Sequence, residues 1–190
     1  MKSLQILIVI ALAITVYVFL RFITKRIWLF ATLRRFTKKH GYVCKIPLSC
    51  IWPNNRNDYI VQLETSNTLY AIKLFGLLRK HCDIHFWCLK EYSATQYFTR
   101  AEYVGGTPIG QTGARRRSLG NKNWAVSSEK EVVPVLLISP ANAPVRLSQT
   151  KVNHFEDLQA GERIENAVFA DLDYLLRFIK NREKQKERVG

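Results

Sequence analysis

Residues able to do chemistry gather first at His81-Cys82-Asp83-Ile84-His85-Phe86-Trp87-Cys88. On a strand His81, Asp83 and His85 share one face, a row suited to a metal ion, and Cys82 and Cys88 share the other. Cys44 and Cys50 could join those thiols, yet no pair has the C-x2-4-C spacing of a zinc finger. Buried thiols in a reducing compartment also serve as plain small apolar residues. A second concentration is the glycine-rich basic loop GGTPIGQTGARRRSLGNKN, residues 105–123. Its glycines would let backbone amides approach an anion, while Arg115, Arg116, Arg117 and Lys122 supply charge for a polyanion. The Walker order G-x-x-x-x-G-K-[ST] is missing, which argues against a P-loop nucleoside triphosphatase, and a solvated loop would look the same. Arg115-Arg116-Arg117-Ser118 also has the form of a basophilic kinase site. Neither G-x-S-x-G nor H-E-x-x-H occurs, so the common hydrolase signatures are absent.

These residues belong to a chain of 190 residues with a net charge of +14, large enough for one domain and an appendage. A hydrophobic fraction of 47% excludes a disordered or collagen-like chain, and four cysteines exclude a disulfide-built miniprotein. The charge is uneven: residues 1–41 carry eight bases and no acid, leaving +6 for residues 42–190. Leu4 to Leu20 is a run without charge, about 26 Å as a helix, and Phe22-Ile23 extends it toward the roughly 30 Å of a bilayer core. No small-x-small cleavage site follows it, so residues 1–23 are expected to be an uncleaved transmembrane anchor crossing the lipid bilayer through residues 4–23. One lysine precedes the run and seven bases follow it, which predicts an outside N-terminus and a cytoplasmic C-terminal domain.

Residues 24–41 are expected to continue as a basic juxtamembrane helix ending at His40-Gly41. Leu29, Phe30, Leu33 and Phe36 fall in one arc of that helix. Arg21, Lys25, Arg26, Arg34, Arg35, Lys38 and Lys39 are the bases available to a membrane surface of anionic lipid headgroups. The apolar arc could equally pack on the domain. Residues 42–190 read as one cytoplasmic α/β (or α+β) domain, a small mixed sheet with flanking helices. Within it DYIVQLETSNTLYAIKLF reads as two strands around a Ser66-Asn67 turn, with Val61, Leu63, Tyr70, Ile72 and Leu74 facing the core. Residues 82–90, 132–139 and 164–169 suggest further strands, the second of them buried. Asp171 caps a final helix with an inward stripe of Tyr174, Leu175, Phe178 and Ile179 and solvated last turns.

Helix, Gly41-Tyr42, strand, a strand opening with Asp58 and another ending in x-x-Lys73 is an order that resembles the restriction-endonuclease-like (PD-(D/E)XK) nuclease superfamily. The later PVLLIS strand and DLDYLLRFIK helix resemble the far side of such a core, so the likeness covers residues 30–76 and 132–180. The resemblance implies Mg or Mn held by Asp58 and a second acid, with Lys73 positioning the attacking water. That second acid belongs at position 71, where this chain has Ala. A turn at Ser66-Asn67 places Gln62 opposite position 71, so Gln62 could offer a neutral oxygen near Lys73. Glu64 lies about 13 Å along the strand from position 60, too far to substitute.

Together these features point to a membrane-anchored binding or adaptor module with a degenerate nuclease-like core. Its partner would be anionic lipid, nucleic acid or an acidic protein. The alternatives are a metal-dependent nuclease acting on DNA or RNA at the membrane, and a structural subunit of a membrane assembly using the aromatic-rich segment 84–98 as an interface.

Overall fold

A computed structural model describes residues 2–50, 60–76, 83–88, 91–97, 102–104, 107–109, 114–121, 124, 126, 128–139, 141, 145–148 and 156–189. The elements in chain order are α1 (Lys2–His40), β1 (Val43–Lys45), a single 3-10 turn (Leu48–Cys50), β2 (Val61–Glu64) and β3 (Thr68–Gly76). There follow β4 (Asp83–Cys88), β5 (Glu91–Tyr97), β6 (Glu102–Val104), β7 (Thr107–Ile109) and β8 (Ala114–Asn121). The chain closes with β9 (Glu131–Ser139), β10 (Val145–Ser148), β11 (Glu156–Asp157), β12 (Arg163–Ile164), β13 (Ala167–Asp171) and α2 (Leu172–Val189).

Two mixed sheets and two helices form three layers. The first sheet has the order β1-β2-β3-β9-β13-β12 and the second β11-β10-β4-β5-β8, with β6-β7 a separate hairpin. In the first sheet β3, β9 and β13 run parallel, while β1, β2 and β12 are antiparallel to their neighbours. One of its faces packs Val61, Leu63, Tyr70, Ile72, Val135 and Val168 against Leu29, Phe30 and Leu33 of α1 and Leu175 and Ile179 of α2. The opposite face packs Ala71, Phe75, Leu136 and Phe169 against Ile84, Phe86, Tyr92 and Ala94 of the second sheet. All nine residues of β3 are buried in consequence.

The β2–β3 hairpin turns at Ser66-Asn67, with Gln62 opposite Ala71. Thr65 holds the turn from both sides, its hydroxyl donating to the Thr68 carbonyl and accepting from the Thr68 amide. Helix α1 stops where Gly41 takes φ +71°, and the Tyr42 amide donates to the Thr37 carbonyl at 2.8 Å, the backbone closure that a left-handed residue permits. Asp171 caps α2 by accepting from the Tyr174 amide at 2.7 Å.

Several expectations need correction. The run 105–123 is not a single loop: it holds β7 and β8, and Arg115, Arg116 and Arg117 lie on β8, paired with β5 at the edge of the second sheet. The expected strand 164–169 is broken at Glu165, whose φ of 56° turns β12 back onto β13. The last turns of α2 are held: the Glu183 carboxylate is buried and accepts from the Tyr70 hydroxyl at 3.0 Å. Lys186 reaches both Thr68 and Glu131, and Arg182 pairs with Glu131 as well. Gly161, at φ +106°, sits where a Cβ would come 2.6 Å from the Tyr174 hydroxyl, so only glycine fits that turn.

Helix α1 is continuous through residue 40, with no break between the two segments predicted from the sequence. Its apolar half, from Gln5, is the one stretch among the described residues long and apolar enough to cross a membrane, and its most apolar 18-residue window is wholly unburied. Its second half is a core element. Leu33→Ala is expected to destabilise the domain by about 2–5 kcal/mol, whereas Ile10→Ala in the unburied half should leave domain melting unchanged by near-ultraviolet circular dichroism. Hydrogen bonds from Lys186 and Arg182 hold the Glu131 carboxyl below its ordinary value of 4.5. The clamp therefore stabilises above that pH and is lost as pH falls through the lowered value, so acid melting should begin with α2. Glu131→Gln should flatten that acid limb.

Candidate functional site

Three groups of polar residues compete for the role of functional site. The first surrounds Lys73. Its side chain is 1% exposed and lies between the two sheets, its ammonium 4.9 Å from the centre of the Trp124 ring. Cation–π attraction of this kind strengthens when the pair is removed from water. Trp124 is itself buried, and its Nε1–H meets no acceptor among the described residues. Alternation along β3 puts Lys73 on the face opposite Tyr70 and Ile72, and the second sheet covers that face.

Among the described residues, the donor set around Lys73 does not fit a divalent cation. Ala71 brings no oxygen, Gln62 brings one neutral amide, and Lys73 is itself a cation. Glu64 is engaged elsewhere, 2.8 Å from Lys130 and 3.7 Å from Lys45, and the hydrogen bond from Lys130 holds its carboxyl below the ordinary range. Asp58 lies outside the described residues.

The second group is a row across the second sheet. Asp157, Arg146, His85, Thr95 and Arg116 occupy successive register positions on β11, β10, β4, β5 and β8. Arg146 Nε lies 3.8 Å from Asp157 Oδ1 and His85 is buried. Asp83 is on the same strand as His85, while His81 and Lys122 lie outside the described residues. No three His, Cys, Asp or Glu side chains come together among the described residues. Ile84, Phe86, Tyr92 and Ala94, from the segment expected to form an assembly interface, are spent inside the chain's own core.

The third group lies on α1, and it separates the seven bases predicted to share one surface. Arg26 is 6% exposed and donates from Nη1 to the Cys50 carbonyl at 2.7 Å, tying the helix to the 3-10 turn. Burial lowers its pKa, and it is a structural residue rather than a surface one. Arg21, Arg34, Arg35, Lys38 and Lys39 are exposed and Lys25 is half-buried. Arg21 and Lys25 line a groove of about 520 Å³ with Tyr17, Leu20, Thr24, Trp28 and Ser139, the last residue of β9. Trp28 is 61% exposed, and Ser139 carried no signal in the sequence because the contact depends on where β9 ends.

Comparison with protein families, curated proteins and solved structures finds no match to this chain.

The described thiols are protected. Burial pushes Cys44 and Cys50 up to about 11 from an ordinary value of 9.0. Two pH units are a hundredfold in thiolate, the reactive form. Alkylation of both residues at pH 8, followed by peptide mass spectrometry, should run about a hundredfold slower in the folded chain than in urea.

Proposed function

We propose that this chain is a single-pass membrane protein that holds a binding domain at the cytoplasmic face and acts as an adaptor rather than a catalyst. The observation that carries this is α1: one unbroken helix of 39 residues, unburied along its apolar half and packed into the domain core along the other. Thr15 is compatible with lipid, because its hydroxyl donates to the Ala11 carbonyl at 2.8 Å and so is satisfied within the helix. One lysine before the span against seven bases after it favours a cytoplasmic domain.

A continuous helix also sets distances from the bilayer. Arg34, Arg35, Lys38 and Lys39 follow Arg21 by 13 to 18 residues, about 20–27 Å along the axis. Even a tilt of about 40° leaves them roughly 15 Å or more from Arg21 in height, beyond a Debye length of about 8 Å. These four bases therefore serve an acidic partner in the aqueous phase, while Arg21 and Lys25 serve the lipid surface. The strand β8, bearing Arg115, Arg116 and Arg117 at the edge of the second sheet among the described strands, offers a further basic edge to the same class of partner.

Full-length protein in neutral phosphatidylcholine vesicles should resist alkaline carbonate extraction. It should bind a fluorescent single-stranded oligonucleotide or polyglutamate, used as generic polyanions, with steep loss on adding salt. Four phosphate contacts give a slope of roughly −3 in log K against log salt, and changing Arg34, Arg35, Lys38 and Lys39 together to Gln should weaken binding and flatten that slope, leaving only what the β8 arginines contribute. A metal-dependent nuclease is the alternative that the helix and hairpin order supports, but Lys73 is sealed beneath Trp124. End-labelled DNA and RNA should stay intact in Mg²⁺ or Mn²⁺; cleavage lost in Lys73→Ala would overturn the adaptor assignment.

A further inference from the structure

We infer that the groove where α1 leaves the domain is a binding site for one anionic phospholipid, its phosphate held among Arg21, Lys25 and Ser139. This rests on the membrane-anchored reading and names the ligand of that junction. Tyr17, Leu20, Arg21, Thr24, Lys25 and Trp28 recur at helical spacing and form one continuous stripe, which Ser139 closes from the end of β9. The groove, about 520 Å³, falls within the roughly 300–1,000 Å³ range of small-molecule sites.

Its chemistry is graded along the helix axis as a lipid is. Tyr17 and Leu20 form the apolar end, continuous with the unburied apolar turns before them. Arg21 and Lys25 follow, and Trp28 stands about 10 Å beyond Arg21 on the water side. A headgroup layer is roughly 6 Å deep on each side of the hydrocarbon, so both bases fall within it. No acid occurs in residues 1–41, so α1 itself brings only bases to the groove. The Thr24 hydroxyl donates to the Leu20 carbonyl at 2.8 Å, which leaves Ser139 to offer its hydroxyl to the phosphate. The site is built from two distant parts of the chain. It distinguishes lipids by charge, and it is formed only when β9 is docked beside α1.

The test is native mass spectrometry of the full-length protein released from nanodiscs of phosphatidylcholine containing a minor fraction of phosphatidylglycerol. One phosphatidylglycerol should stay bound per chain, and phosphatidylcholine should not. Each base near a membrane surface is worth about fivefold, the equivalent of about 1 kcal/mol. The double variant Arg21→Gln, Lys25→Gln should therefore reduce retention roughly 25-fold, while Lys38→Gln, Lys39→Gln should leave it unchanged. Equal retention in both variants, or no retained phosphatidylglycerol, would overturn the site. Flotation with pure phosphatidylcholine vesicles separates the two levels. A chain that floats but retains no anionic lipid lacks the site alone, and a chain that does not float has lost both the anchor and the site.

Discussion

A helix cannot change its surroundings without changing its side chains, and α1 does so within a single unbroken rod. From Ile6 to Leu20 its apolar side chains point outward on every side, an arrangement that water disfavours and hydrocarbon accepts. From Arg26 onward one arc is buried and the opposite arc charged. Because the helix does not break between these regimes, whatever holds the first half fixes the second. The first sheet then follows, since Leu29, Phe30 and Leu33 pack against Val61, Leu63, Tyr70 and Ile72 on its helix-bearing face.

Strand direction carries that constraint through the domain. Ser139 ends β9 beside the Tyr17–Trp28 stripe, while Lys186 near the end of α2 meets Thr68 and Glu131, where β3 and β9 begin. The parallel strands β3, β9 and β13 thus end toward the apolar half of α1. At the opposite end stand the C-termini of both helices, with Lys38 and Lys39 on α1 and Lys184 and Arg188 on α2. Charge differs between the two ends: two bases with aromatics stand near the apolar half, and clusters of bases at the far end.

The elements legible in the sequence were those whose signals are local. The Ser66-Asn67 turn, the Gly41 stop and the Asp171 cap each depend on a few adjacent residues, and the hairpin register with Gln62 opposite Ala71 follows from the turn alone. The second sheet was only partly legible. Ala114–Asn121 carries three arginines and a glycine, which reads as a loop, yet charge is what an edge strand tolerates and uses to discourage further pairing. Lys73 misled for a related reason. Alternation along β3 assigns it correctly to the face opposite Tyr70 and Ile72, but the cover on that face comes from β4, β5 and Trp124, far along the chain. Arg26 was indistinguishable from its basic neighbours until the Cys50 carbonyl was placed beside it.

The central claim is that α1 remains one rod crossing the bilayer and rising into the domain. It is tested most directly by spin labels at Ile10→Cys, Arg21→Cys and Lys38→Cys, in a cysteine-free background reconstituted in vesicles, with depth read from collisions with oxygen and with a water-soluble nickel chelate. Position 10 should lie deep in hydrocarbon, position 21 at the headgroups and position 38 in water, roughly 20 Å or more above position 21. Position 38 at the headgroup level, or position 10 in water, would contradict it.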